Sequence, residues 1–445
     1  MASDLLSIGA SGAKAARAAL DVTAQNIANA SSTGYVRRSV QIEEVAAAGG
    51  LLRANDISLS GARIASLHRN ADMFRQAEVR RTNSDVTRSA SELEGLQNIE
   101  TSLEQSGVYT SIVEFEASLQ RLATDAVDSS LRAAALASAD AMAAKFNIAA
   151  SSIATAAEGL QFDATSDVDQ ANQVGRELAR INLGLARAGA GSSDQAALLD
   201  RRDLLLEQLS GVADVSTTFA ADGTVAVKLG GAAGATFVQG KDAATLTMTS
   251  AADGTIAFAV GGAALTLNGG SLAGAQAGLA ATVEYRTQLD AVADSIAATV
   301  NTAQGNGADL TGATGTAMFS GSGAAGMALA LTSGSQIAAA ASGSAADSRD
   351  STNLAVLRAD LGTLDPAGGM NMLLFDVSSR VAARELTHEA LETIASSAQV
   401  SLQEQAGVDL DTEAANLIRY QQAFQASSRA MQVATELFDT LVAIG

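Results

Sequence analysis

The chain of 445 residues has no cysteine, no tryptophan, one proline and two histidines. Without cysteine it can build neither a disulfide framework nor thiolate chemistry. His68 and His388 each sit in a charged stretch and have no further His or Cys with which to form a zinc site, so both read as surface residues. A single proline, Pro366, leaves long helices uninterrupted. Aromatic residues make up only 3%, and the 47% hydrophobic fraction is largely alanine. Alanine buries little area, which points to thin helical layers rather than one thick core. No apolar run approaches the ~20 residues of a membrane span. The opening "MASD" has no basic region, so a cleaved signal peptide is not expected.

What is present in excess is negative charge, a formal net of −20. A chain this acidic repels phosphate backbones, which argues against nucleic-acid binding. The charge is uneven: residues 1–88 carry eleven Lys/Arg against eight Asp/Glu. That asymmetry suits head-to-tail contacts, and it is equally compatible with a plain acidic surface.

Residues 4–29 have a heptad, Leu6, Ala13, Leu20 and Ile27, with Ala16 and Thr23 on the second seam. Asn29, Ser31, Ser32 and Gly34 stop that helix, and "YVRRSVQI" alternates as a short extended arm. Helix formers return from 62 to about 99, and further helices are expected at "GVYTSIVEFEASLQRLATD", "SSLRAAALASADAMAAKFNIAASSIATAAEGL", "VDQANQVGRELARINLGLARAG" and "SDQAALLDRRDLLLEQLS". After Ser210 the period changes to two. "ADGT" occurs at 221–224 and 252–255, each before an apolar alternation, which is a hairpin signal. Helix is expected again from about Ala281. The final segment has Leu410, Leu417, Phe424, Met431 and Phe438 seven apart, with Tyr420, Ser427, Ala434 and Leu441 on the second seam.

These elements predict a mainly α protein with a small all-β insertion: an axial terminal coiled coil from 1–45 and 405–445, a helical bundle from 46–212 and 281–404, and a β-rich outer unit from 213–280. Antiparallel pairing of the ends is expected to place Leu6 opposite Leu441, Ala13 opposite Ala434 and Ile27 opposite Tyr420. The β unit is expected to join the rest only through its two chain crossings.

Signals for catalysis are weak. "GSGAAG" at 321–326 matches G-x-G-x-x-G with Asp347 downstream, but it lacks the strand–turn–helix context and reads as a loop. There is no G-x-S-x-G elbow and no announced acid–base carboxylate pair. Arg37 and Arg38 could grip carboxylates or simply be solvated. No cofactor or metal is expected, and the chain does not read as an enzyme.

The block "SGAKAARAALDVTAQNIANASSTGYVRRSV" resembles the start of bacterial flagellar axial proteins, through Asn26, Ile27, Ala28, Asn29, Thr33, Gly34 and Tyr35. Many members have a proline before that glycine; this chain does not. The C-terminal block is similar to the matching axial C-terminus, through Gly407, Val408, Leu410, Glu413, Leu417, Gln421, Gln422, Phe424, Ala426, Phe438, Asp439 and Leu441. "LHRNADMFRQAEVRR", through Arg69, Asp72 and Phe74, and "LLDRRDLLLEQLS" at 198–210 narrow the resemblance to the hook-associated protein 1 family of the hook–filament junction.

That resemblance implies a structural adaptor, secreted without a cleaved signal through the flagellar type III system into the extracellular flagellum. The partners it implies are further copies in an axial ring, the hook protein, a second junction protein on the filament side and an export chaperone; membrane insertion is not implied. The assembly interface would comprise Leu6, Leu20, Asn26, Ile27, Asn29, Gly34, Tyr35, Leu410, Leu417, Tyr420, Phe424, Met431, Phe438 and Leu441. The alternatives are a hook or distal-rod protein and, from another class, an enzyme carried on axial ends.

Overall fold

The computed structural model describes residues 2–44 and 61–444. In chain order, helix α1 (Ala2–Ala28) leads to an antiparallel hairpin of β1 (Arg38–Glu44) and β2 (Ala62–Arg69). Four helices follow: α2 (Met73–Ser106), α3 (Val108–Leu122), α4 (Ser129–Leu185) and α5 (Ser193–Val212). Then come β3 (Val215–Phe219), β4 (Val225–Leu229), β5 (Ala235–Gln239) and β6 (Asp242–Ala243), hydrogen-bonded in that order. A second sheet holds β7 (Leu246–Ser250), β8 (Ile256–Val260) and β9 (Ala263–Leu265). Helix returns as α6 (Gly270–Asn306), a one-turn α7 (Gly323–Gly326), α8 (Thr352–Leu364), α9 (Pro366–Ala406) and α10 (Leu410–Ile444).

Local chemistry explains most boundaries. The Asp72 carboxylate accepts from the Phe74 and Arg75 amides and caps α2, as Asp128 does for α4 and Asp365 for α9. Pro366 stands at the start of α9, where its missing N–H costs nothing. Both "ADGT" repeats are hairpin turns: Asp222 accepts from Thr224 and Asp253 from Thr255, while Gly223 and Gly254 supply the positive φ.

Three expectations change. Residues 62–69 form a strand rather than the start of a helix, because they pair with β1 along its length. The third and fourth expected helices are one helix, the 57-residue α4, about 85 Å long at 1.5 Å per residue. Helix α6 starts at Gly270 rather than near Ala281, since Leu272, Ala275 and Leu279 recur at helical spacing and are buried.

Two apolar clusters share α4. The first gathers the C-terminal half of α2, α3, the first half of α4, α6, α8 and the first half of α9 around Phe115, Phe146, Tyr285 and Phe319. The second packs both sheets on the other half of α4, on α5 and on the start of α6. Phe237 lies so close to Gly175 of α4 that a Cβ there would stand 2.7 Å from its ring. The β unit is therefore not attached through its chain crossings alone; it closes one end of the helical core.

Helix α1 runs antiparallel along α10 and also touches the β1–β2 hairpin. The register is slid by about one heptad from the expected one. Gly9 lies against Met431 and the Ser427 carbonyl, and Gly12 against Ser427. A heptad pattern fits equally well after a seven-residue shift, so something other than the seam selects the pairing.

Phe237→Ala should cost about 3–5 kcal/mol in urea unfolding followed by far-UV circular dichroism, with the helical signal lost in the same transition. If the sheets were attached only at their crossings, the helical transition would not move.

Candidate functional site

The site is the joint where the terminal pair meets the helical body. Asn26, on the last turn of α1, is 1% exposed. Its side-chain amide donates to the Arg38 carbonyl at 2.8 Å, and its oxygen accepts from the Arg38 amide at 3.1 Å and from the Tyr35 hydroxyl at 2.8 Å. The Asn29 side chain donates to the Gln25 carbonyl at 2.9 Å and closes the helix end. Gly34 has φ +77°, a conformation costly for residues with a Cβ. These four residues, brought together from the opening motif, turn the chain from α1 into β1. The Arg38 guanidinium stacks over the Tyr35 ring, 5.0 Å from its centre.

Charge fixes the other side of the turn. Arg38 donates to Asp200 at 2.7 Å, and Arg69 to Asp200 at 2.6 Å and to Asp203 at 2.7 Å. Arg202 adds two donors to Asp203 at 2.6 and 2.9 Å, and Gln76 adds one at 2.9 Å. Burial alone would push the Asp203 carboxyl up, but Arg69 and Arg202 outweigh it and hold it below the ordinary range. On the α10 side, Arg37 donates to Glu413 at 2.7 Å, and its amide binds the Ala406 carbonyl at 2.9 Å. Asn70 ties in the end of α9 through the Gln405 carbonyl at 2.7 Å. Arg37 and Arg38 thus grip carboxylates, each through one nitrogen.

The terminal pair itself is thinly packed. Its buried residues on α1 are Gly9, Ala13, Ala15, Ala16, Ala19, Thr23 and Asn26, and on α10 Glu413 and Ala434. Leu20, Ile27, Leu417, Tyr420 and Met431 are half-buried. Leu6, Leu410, Phe424 and Phe438 are exposed, at 45, 54, 38 and 56%. They are not brought into the seam, because the small residues alternate with them around each helix. The Leu441 side chain lies outside the described ones.

Sequence reasoning passed over Arg69, Asp200, Asp203 and Glu413 as site residues. The available signal was that all four lie within the segments carrying the family resemblance. Nothing else in the site points to chemistry. The G-x-G-x-x-G amides that could cradle a phosphate are occupied: Asp294 accepts from the Gly323 amide and Asp290 from the Ala324 amide, each at 2.6 Å. Among the described residues, no group of His, Cys, Asp or Glu is placed to hold a metal, and no helix is long and apolar enough to cross a membrane.

Comparison with known proteins places both ends in the flagellar rod class. Residues 6–35 match the family "Flagella basal body rod protein", and residues 399–444 match "Flagellar basal body rod FlgEFG protein C-terminal". Residues 93–319, half of the chain, match "Flagellar hook-associated protein FlgK helical domain"; the chain belongs to the FlgK family of flagellar hook-associated proteins. It is 24% identical to flagellar hook-associated protein 1 of Bacillus subtilis over 96% of this chain and 95% of that one. It is 27% identical to the Escherichia coli protein of the same name over 55% of this chain and 44% of that one. The chain thus spans less than half of that enteric relative. The flagellar hook junction protein FlgK from Burkholderia pseudomallei is a structural match at TM-score 0.49 and 24% identity, covering 55% of this chain and 46% of that one.

Asp203→Asn should cost about 3–5 kcal/mol, because Arg69 and Arg202 stay buried without their counter-charge. The folded-state carboxyl is depressed, so its stabilisation is complete above the unfolded value near ~4 and disappears as pH falls through the lower folded value. Urea midpoints measured down to pH 2 should therefore fall more steeply for the native chain than for the variant.

Proposed function

We propose that this chain is a structural adaptor of the bacterial flagellum at the junction of hook and filament, without catalytic activity. The observation that carries the proposal is the pairing of α1 with α10 through small residues, which leaves large apolar side chains of both helices uncovered: Leu5, Leu6, Ile8, Leu410, Ile418, Phe424, Leu437 and Phe438. So many exposed large apolar side chains on one helix pair point to an interaction surface. Further copies cover it when the terminal pairs pack side by side into an axial ring, with the helical body outside. One end of the ring meets the hook protein and the other a second junction protein on the filament side. The proposed assembly interface is the set of terminal residues from Leu6 to Leu441 named from the sequence, with the joint beneath it. A hook or rod subunit would share those ends; the match over the helical body favours the junction protein.

Under this reading the chain leaves the cell unfolded, and a chaperone covers α10 until export. Packing supports this. The pair buries mostly alanine, so its gain falls short of the ~1–2 kcal/mol per residue needed to order the backbone, and neighbours supply the remainder.

Amide exchange in dilute monomer should be fast over residues 4–25 and 414–440 and slow over α2 to α6. Phe424→Asp should abolish assembly seen by electron microscopy while moving the melting of the body by less than about 0.5 kcal/mol. Hooks lacking filaments are expected in cells without this chain; normal filaments in such cells would overturn the reading.

A further inference from the structure

The helical body has two edges of opposite charge. Helix α2 lies between α5 and α9: Gln76 and Asn83 reach Asp203 and Ser210 of α5, while Arg75 and Glu92 reach the Ser401 carbonyl and Arg384 of α9. At 3.6 residues per turn, Arg201, Leu205 and Gln208 stand on the side of α5 away from Asp203 and Ser210. With Val174, Arg176 and Arg180 of α4 they line a groove of about 440 Å³. Val174 and Leu205 are buried there. Three arginines line the groove against one acid, Glu177, which is paired with Arg180 of its own helix. Among the described residues Arg176 and Arg201 make no ion pair. This basic patch belongs to a chain with a net charge of −20.

The α9 edge is its reverse. Leu373, Val377 and Val381 face the core. On the other side of that helix Phe375, Leu386 and Val400 are 75, 70 and 52% exposed. Glu385, Glu389 and Glu392, all exposed, run along one flank of that side. Among the described residues Glu392 pairs with His388 one turn back, and Glu385 and Glu389 make no ion pair. Large apolar side chains opposite the core-facing stripe, with an acidic flank, are the pattern of a helix that docks in a groove. The body carries a groove of the complementary sign beyond α2.

Two different, complementary surfaces on opposite sides of α2 do not pair with each other about a two-fold axis. They pair head to tail, and a head-to-tail contact gives a ring when its rotation closes. Ion pairs at such a surface are worth little by themselves. Their part is to select partner and orientation, while burial of Leu386 and its neighbours supplies attraction. Bodies of like net charge can then meet at this one pair of edges.

We propose that α9 of one copy lies in the α4–α5 groove of the next, with Glu385, Glu389 and Glu392 facing Arg176, Arg180 and Arg201. This is the lateral contact between helical bodies. It rests on the assembly reading above and adds a contact outside the terminal pairs.

Because the chain has no cysteine, cross-linking reads the contact directly. Full-length chain carrying both Glu389→Cys and Arg201→Cys is assembled and treated with a short bismaleimide. A ladder of covalent multimers is expected, since each copy offers one half of the contact to each neighbour. Either single variant should give no covalent product, because neither position meets its own counterpart. Glu389→Arg and Arg201→Glu should each raise the concentration needed for assembly about tenfold, by setting like charges together. Chain with both reversals should recover much of that loss. Covalent dimers from a single variant, assembled double-cysteine chain without cross-links, or reversals whose effects simply add would overturn the lateral contact and leave the adaptor reading standing. Native chain that never self-associates would overturn both.

Discussion

Asp200 and Asp203 lie on neighbouring turns of one helix face and hold arginines from the two strands of the β1–β2 hairpin and from α5 itself. The placement of both chain ends depends on this cluster. The hairpin carries α1, through Asn26 bonded to the backbone of Arg38. Arg37, one residue earlier, reaches Glu413 in the first turn of α10. Buried ion pairs contribute little net stability, because desolvation offsets their attraction, but losing one partner is severe. Their effect here is orientational. Each arginine has one carboxylate geometry open to it, and together they permit one direction for the terminal helices to leave the body.

A joint fixed in this way also selects the register that the heptads leave open. Sliding α10 by seven residues would preserve the apolar seam, but it would carry Glu413 one full turn or more from Arg37 and bring different side chains against Gly9 and Gly12. At Gly9 a Cβ would stand 2.7 Å from Met431, so the helices approach there more closely than side chains normally allow. Polar anchoring at the base and close glycine contact farther out set the register, while the seam itself contributes mainly small residues. The pair is thus held firmly at one end and weakly along its length, and its large apolar side chains remain free for other surfaces.

The long periodic helices and the "ADGT" hairpins were legible because each is a local pattern. Strand β2 was not: "ARIASLHR" has no clean alternation, and its conformation is decided by its pairing with β1, from Glu44 opposite Ala62 to Arg38 opposite Arg69. The continuity of α4 was hidden by the polar run "FDATSDV". Those residues read as a break, but in the helix Thr165 returns its hydroxyl to the Gln161 carbonyl, and between buried Ala164 and Val168 the side chains of Thr165 and Ser166 face solvent while Asp167 accepts from the Ser271 hydroxyl. The joint was illegible in principle, since it assembles Arg37, Arg69, Asp200 and Glu413 from positions up to 376 residues apart. Only the family resemblance singled out those segments together, without saying what they do.

The joint also decides between the two readings of the charge asymmetry. Of the eleven basic residues in the first 88, Arg37, Arg38 and Arg69 are paired internally with Asp200, Asp203 and Glu413, all from the acidic remainder of the chain. Much of the excess is therefore internal pairing between early and late segments and is not available for steering another molecule. Without those three pairs the first 88 residues carry eight basic against eight acidic groups, and the net negative charge lies on the rest of the chain. That acidic remainder makes the helical bodies repel one another at a distance. Any association must then overcome that repulsion through short-range contact, and the uncovered apolar side chains of α1 and α10 are where the chain offers it.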